Sequence, residues 1–434
     1  MNASRRLLVV SFHFPPDPAI GGLRWAGLTR YLASDGWSSW VVTAAPPPAV
    51  PTAGVSVASH PRAATLNDAY RRWRAGRAAG WSTRTPELPL QATAAGAARE
   101  GWRASLRREL ASLLGIPDEA RGWLLRSTWA TRRLIKRERP SVMVSSGPPH
   151  SVHLVAYLAS RLTGVRWIAD LRDPWAGPFN EEWGETMYSQ SGASRWLTTR
   201  LERFALPAAS MIICNTREFA AVLKTRYPSS VIEFVPNAVD RALLPPISGD
   251  PFPGLAIVHV GTIYGGRDLG PVLLALRAFL DRHPGTMHDG TRLRVAGHVD
   301  EPYASVVRRQ IAGLKLDQQV EFLGILPRSE ALQLVGRSRL AVVLAQHQDL
   351  QVPAKLYEMV AMEAQTVVLA ALDSAAASEA RRLGASAIDP DDTTGLLEVM
   401  ERAFDRTRAV TPTTVAELDY QQLAVRVGTL LAAP

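Results

Sequence analysis

Apolar runs too short to be helices recur at residues 7–10, 40–42, 142–144, 167–169 and 211–214. Between them apolar residues repeat at helical spacing over 23–33, where Gly36 ends the pattern, and over 151–162 and 195–206. Short runs bounded by turn residues read as strands, and a 3.6-residue spacing reads as helix. A strand–helix–strand rhythm of this kind demands a parallel sheet with helices on both faces. Proline breaks the rhythm at 236, 245, 246, 251 and 253. It restarts with 255–260, a helix from 269 to about 282, then 293–295, 320–323, 340–345 and 367–369. The expectation is an α/β chain in two doubly wound domains, residues 1–240 and 255–410. Residues 411–434 are expected to form a C-terminal helix able to cross back to the first domain.

At 434 residues, 47% apolar and 21% charged, the chain has the composition of a soluble globular protein of two or three domains. No run approaches the roughly 18 apolar residues needed to span a bilayer. Arg5-Arg6 followed by Leu7-Leu8-Val9-Val10 is too short for a signal peptide and meets Pro15-Pro16 without a small-residue cleavage site; it reads as a first strand. Cys214 is the sole cysteine, in the apolar run Met211-Ile212-Ile213-Cys214. A buried structural thiol and a reducing cytoplasm follow.

The net charge of +9 is unevenly placed. Residues 62–139 carry seventeen Arg or Lys against seven Asp or Glu, which is +10, and five of the twelve tryptophans. Such a basic insertion describes a surface that meets something anionic. Trp102, Leu106, Leu110, Leu113 and Leu114 would share one helical face. Two readings stay open: a helix lying in an anionic membrane interface, or one packed on its own domain. No nucleic-acid-binding module accompanies the charge, so no nucleic-acid partner is expected.

The chemistry is expected at the ends of strands. In the first domain Gly21, Gly22 and Arg24 lie between strand and helix, where glycine either lets a backbone approach a ligand or simply makes a tight turn. Ala169-Asp170-Leu171-Arg172-Asp173-Pro174-Trp175 follows a buried strand. Its Asp170, Arg172 and Asp173 form either an ion-paired loop or a set that orders an acceptor hydroxyl. His150, after Pro148-Pro149, either begins a helix structurally or reaches the same site, as does His153. The second domain opens with Gly261-Thr262-Ile263-Tyr264-Gly265-Gly266-Arg267, a glycine-rich turn ending in a guanidinium suited to a diphosphate. Farther on, Pro353-Ala354-Lys355-Leu356-Tyr357-Glu358 follows the strand at 340–345 and a polar loop, with Pro353 where a helix would begin. Lys355 and Glu358 would share the first turn, the lysine meeting phosphate and the glutamate accepting from ribose hydroxyls. The plainer alternative is an exposed helical Lys–Glu pair. Asp389-Pro390-Asp391-Asp392 reads as a helix cap, and no Cys/His metal spacing or G-x-S-x-G elbow is present.

In this order the motifs resemble a retaining glycosyltransferase of family four, the GT-B group of two facing Rossmann-like domains with a deep cleft between them. Val235-Pro236-Asn237-Ala238, Val260-Gly261-Thr262 and Val320-Glu321-Phe322-Leu323-Gly324 complete the match, which is closest to bacterial members carrying a DLRDPW-like loop. The resemblance implies a nucleotide-diphosphate sugar, with UDP as the expected nucleotide, bound by the second domain through Gly261, Thr262, Gly266, Arg267, Asp349, Lys355, Leu356 and Glu358. It implies an acceptor near Gly21, Gly22, Arg24, His150, Asp170 and Asn237, and catalysis by Arg267, Lys355, Glu358, Asp173 and Arg172. Neither a cofactor nor a metal is expected. A lipid-linked saccharide acceptor at the inner face of the plasma membrane is the implied partner. The sequence departs from the family at Leu350, where a first glutamate is usual, and at Thr262, where arginine is usual. The expected activity is hexosyltransferase-like transfer with retention, in polysaccharide or glycoconjugate synthesis. A soluble secondary-metabolite acceptor, a GT-B-fold epimerase and a non-catalytic scaffold subunit are the alternatives.

Overall fold

The computed structural model describes residues 5–17, 19–65, 115–176, 192–264, 266–287, 289–301, 303–405 and 418–433. The chain divides into two compact units, with the break between Pro236 and Asn237; residues from Ala424 onward return to the first unit. The amphipathic stretch proposed for Trp102–Leu114, and most of the basic insertion, lie outside the described residues.

The first unit holds a parallel sheet in the order β3-β2-β1-β4-β5-β6-β7. Its strands are β1 (Arg6–Ser11), β2 (Ser38–Thr43), β3 (Val55–Ser59), β4 (Val142–Gly147), β5 (Trp167–Leu171), β6 (Met211–Cys214) and β7 (Ile232–Phe234). All pairings are parallel, as in Leu7↔Val142 and Met143↔Trp167. Helices α1 (Leu23–Ser34), α2 (Leu124–Glu138), α3 (Ser151–Thr163), α4 (Gly192–Ala205) and α5 (Arg217–Arg226) connect them. β1, β4, β5 and β6 are almost wholly buried because both faces of a parallel sheet are covered by helices. Cys214 is buried in β6, and burial pushes its thiol up to about 12, so it stays protonated and serves packing.

The second unit repeats the plan with six strands in the order β10-β9-β8-β11-β12-β13. They are β8 (Ala256–Val260), β9 (Arg292–Ala296), β10 (Val320–Gly324), β11 (Leu340–Leu344), β12 (Gln365–Leu369) and β13 (Ser386–Ile388). Helices α6 (Gly270–Arg282), α7 (Tyr303–Gly313), α8 (Arg328–Gly336), α9 (Ala354–Ala361), α10 (Ala375–Arg382) and α11 (Thr393–Phe404) complete it. Alternate strand residues feed two cores, one on each face of the sheet. Val258, Ala341, Val343 and Val368 pack with Leu356, Val360 and Ala380, while Ile257, Leu293, Val342 and Val367 pack with Leu276, Phe279 and Met400. Asp392 caps α11, its carboxylate accepting from the Gly395 amide at 2.8 Å. The last helix, α12 (Tyr420–Ala432), ends in the first unit. There Arg166 donates to the Leu431 carbonyl at 2.9 Å and Arg426 to the Phe234 carbonyl at 2.7 Å.

The edge strands β3, β7 and β13 are absent from the sequence reading. They are three to five residues long and only partly buried, so hydrophobic periodicity hardly marks them.

Candidate functional site

In each sheet the chain order reverses once, between β1 and β4 and between β8 and β11. The crevice outside the carboxyl ends of strands at such a switch point is where open α/β sheets bind ligands.

At the switch point of the second unit, β8 ends in Gly261, whose amide donates to the Ala296 carbonyl at 2.8 Å. Gly297 follows β9 at φ 149°, and a Cβ there would strike the Gly261 carbonyl oxygen. Only glycine lets the two strand ends approach so closely. The turn after β8 folds Arg267 back so that it donates to the Thr262 carbonyl at 3.2 Å and lies 4.4 Å over the Tyr264 ring. Burial lowers this guanidinium's proton affinity and Tyr264 opposes the shift. Arginine remains charged regardless.

Lys355, on the first turn of α9, is half-buried and faces Gly261: the point where a Cβ on Gly261 would stand lies 3.4 Å from its Nζ. Burial pushes the ammonium down to about 8, Glu358 pulls it back up and Arg267 adds to the fall. Two half-buried cations thus approach the end of β8, Lys355 at Gly261 and Arg267 at the Thr262 carbonyl, an arrangement that an anion would relieve. Gln348, with its amide oxygen turned toward Arg267, accepts from Nε at 3.2 Å and Nη2 at 3.1 Å. Gln346 donates to the Asp268 carbonyl at 2.7 Å, so the loop after β11 is clamped to the loop after β8.

Glu358 is held by a partner 30 residues away. Its Oε1 accepts from Arg328 Nη2 at 2.7 Å and Nε at 2.9 Å, a charge-assisted fork absent from the sequence reading. Leu356 requires a correction: its side chain is fully buried in the core and its amide donates to the Pro353 carbonyl, so it cannot line a donor site. Asp349 is exposed, and its carbonyl accepts from the Ala375 amide at 2.7 Å. Thr262 and Gly266 are exposed on the same turn, Gly266 at φ 86° beside His347.

In the first unit the two glycines allow close packing. The Arg172 guanidinium fills the space beside Gly21, and the Phe14 backbone fills that beside Gly22. Asp170 and Arg24 are also turned inward. The fully buried Asp170 Oδ2 accepts from Arg24 Nε at 3.2 Å, Trp25 Nε1 at 2.7 Å and Ser146 Oγ at 2.8 Å. Arg24 also donates to the carbonyls of Val235 and Pro236. This pair ties α1 to the sheet. Asn237 is the first residue of the second unit in the division of the chain.

His150, Trp175 and His153 form a ring stack. His150 and Trp175 lie 5.5 Å apart and nearly parallel, and His153 is 5.6 Å from Trp175. Asp118, not His150, caps α3, accepting from the Ser151 amide at 2.7 Å. Burial drives both imidazoles down, His153 to about 3, with Arg172 adding to each fall, so both are neutral at pH 7. Burial raises the Asp173 carboxyl, and Arg172 opposes the shift. The loop carrying them is anchored at Ala176, whose amide donates to the buried Glu202 at 2.6 Å; Glu202 also accepts from Arg226 and Tyr227. Beyond β1 and β2 a hollow of about 430 Å³ is lined by Phe12, Pro16, Asp17, Ala44, Pro46 and Arg62.

Among the described residues, no group of three or more His, Cys, Asp or Glu side chains is placed to hold a metal ion. No described helix is long and apolar enough to cross a membrane.

Residues 90–243 match the model of Glycosyltransferase Family 4. Sucrose-phosphate synthase from Thermosynechococcus elongatus superposes with a TM-score of 0.63 at 14% identity, covering 98% of each chain. Trehalose-6-phosphate synthase OtsA gives 0.64 at 12% identity, over 99% of each chain. The Anabaena protein Alr3699/HepE, solved in complex with UDP and glucose, gives 0.59 at 11% identity, over 98% of this chain and 99% of that one. The fold is GT-B. A comparison with curated protein sequences found no match. Identities this low carry the architecture and leave the chemistry to the residues.

Proposed function

We propose that the protein is a retaining, family-four glycosyltransferase, hexosyltransferase-like, that moves a sugar from a nucleotide-diphosphate donor to a hydroxyl acceptor. The pairing of Lys355, beside Gly261, with Arg267, on the Thr262 carbonyl, at the switch point of the second sheet carries this reading. Two half-buried cations close to one another fit a diphosphate. The match of residues 90–243 to the family model and the GT-B fold support the same conclusion. Several structural neighbours are complexes with UDP or UDP-sugars, which favours UDP as the nucleotide.

In this reading Arg267 and Lys355 stabilise the charge that develops on the leaving diphosphate, and the mechanism needs no metal. Glu358 accepts hydrogen bonds from the ribose. The acceptor hydroxyl attacks on the face that the diphosphate leaves, and a phosphate oxygen takes its proton, so configuration is retained. The acceptor belongs to the first unit, near His150, Arg172 and Asp173, with the hollow beside Phe12 as a seat for its remaining part. A cell-surface polysaccharide or glycoconjugate is the proposed product, and the basic insertion supports a lipid-linked acceptor at the cytoplasmic membrane face.

Release of UDP from UDP-sugars by purified protein tests the reading. Arg267→Ala and Lys355→Ala should each lower turnover about a hundredfold or more. Turnover within about threefold of wild type in both variants would remove them from the mechanism. No turnover of any nucleotide sugar in the wild type would leave a binding subunit.

A further inference from the structure

One buried polar atom of the second unit, outside the residues assigned above, has no partner and borders the cation pair. It is Nε2 of His259, whose side chain is only 3% exposed. Its Nδ1 lies 3.0 Å from the Val342 carbonyl oxygen. A carbonyl only accepts, so Nδ1 carries the hydrogen and Nε2 is a bare lone pair. Strand geometry imposes this tautomer. β8 and β11 pair at Leu340↔Ile257 and Ala341↔Val258 and not beyond, and the imidazole takes the Val342 carbonyl where the strands part.

The point where a Cβ on Gly261 would stand is 3.3 Å from His259 Nε2 and 3.4 Å from Lys355 Nζ. An acceptor and a donor therefore lie together on the same face of Gly261. A phosphate oxygen, which only accepts, satisfies Lys355 and leaves the lone pair unmatched. A hydroxyl satisfies both. Burial, with Lys355 and Arg267 adding to it, pushes the imidazole down to about 4, which keeps the lone pair available at neutral pH.

We propose that His259 and Lys355 together read one hydroxyl of the donor's sugar, Nε2 accepting from it and Nζ donating to it. The assignment rests on the donor reading above and adds to it a residue that selects the sugar. A site that leaves a buried lone pair unmatched discriminates strongly against a ligand lacking the hydroxyl.

Calorimetric titration of the full chain tests it. The probes are UDP, the tightest-binding of UDP-glucose, UDP-galactose and UDP-N-acetylglucosamine, and the monodeoxy analogues of that sugar. One analogue is expected to bind the wild type at least about tenfold more weakly than the parent, with the others within about threefold. His259→Phe should bind the parent as weakly as that analogue while keeping its affinity for UDP. His259→Asn, a smaller polar replacement, serves if His259→Phe does not fold. Equal binding of parent and every analogue by the wild type would overturn the assignment. So would discrimination that persists in the variant, or an equal loss of UDP and UDP-sugar, which would mark His259 as structural or ribose-directed. A wild type that binds none of these ligands would overturn the donor reading itself, and this assignment with it.

Discussion

Lys355 keeps an ammonium where burial and Arg267 both disfavour charge, and its value of about 8 places the titration within reach of an ordinary binding experiment. The protonated form is the one that attracts a diphosphate, so binding takes up a proton once the free protein has lost it. Affinity for UDP should hold steady below pH 8 and fall as pH rises above it, by up to about tenfold per pH unit. Lys355→Arg should flatten the profile, because a guanidinium does not titrate there; an unchanged profile in that variant would assign the pH effect elsewhere. Glu358 raises a different question, since its carboxylate is already engaged by Arg328. If it holds ribose hydroxyls as well, Glu358→Gln should weaken UDP binding by about 1.5–3 kcal/mol, and Arg328→Ala by much less. Equal binding by wild type and Glu358→Gln would confine the glutamate to its ion pair. None of these partners is adjacent in sequence, and for that reason Arg328, Gln348 and His259 went unread.

At the scale of elements, the site depends on how closely strand ends can approach. Gly297 after β9 lies against the Gly261 carbonyl at φ 149°, which leaves no room for a methyl group. Gly297→Ala should therefore push the end of β8 away from Lys355, weakening UDP binding at least about tenfold and lowering thermal stability by about 1–3 kcal/mol. Binding and melting temperature both at wild-type values would show that the two ends have slack. The strands and helices themselves were legible where a strand is buried on both faces, as at β1, β4, β11 and β12, because continuous apolar runs mark them. The short edge strands β3, β7 and β13 were not. Gly21 and Gly22 were legible as a turn, but what fills the space beside them is Arg172 and the Phe14 backbone, which no local pattern reveals.

The whole molecule carries its excess charge in one place, +10 within residues 62–139. Each basic residue near an anionic bilayer contributes about 1 kcal/mol, screened within a Debye length. The protein should therefore sediment with vesicles containing phosphatidylserine at low salt, and not with neutral ones. Failure to bind anionic vesicles at low salt would point to a soluble acceptor. In solution, UDP at a hundredfold its dissociation constant should stabilise the protein by about 2.7 kcal/mol, readable as a thermal shift.

The sequence by itself determined the α/β architecture, the restart of the pattern after the proline-rich break, and the strand ends where Gly261, Arg267 and Lys355 stand. Periodicity and turn residues are local properties, and each strand end follows from them. Which side chains come together at those strand ends is set by tertiary packing. Arg24, Asp170 and Leu356 carry plausible chemistry in the sequence, yet their side chains are buried, with Arg24 and Asp170 hydrogen-bonded to each other. His259 reads as one more residue of a buried strand. It becomes an unmatched acceptor beside Lys355 because β8 and β11 part at that point, and the separation of two strands is fixed by packing across the sheet.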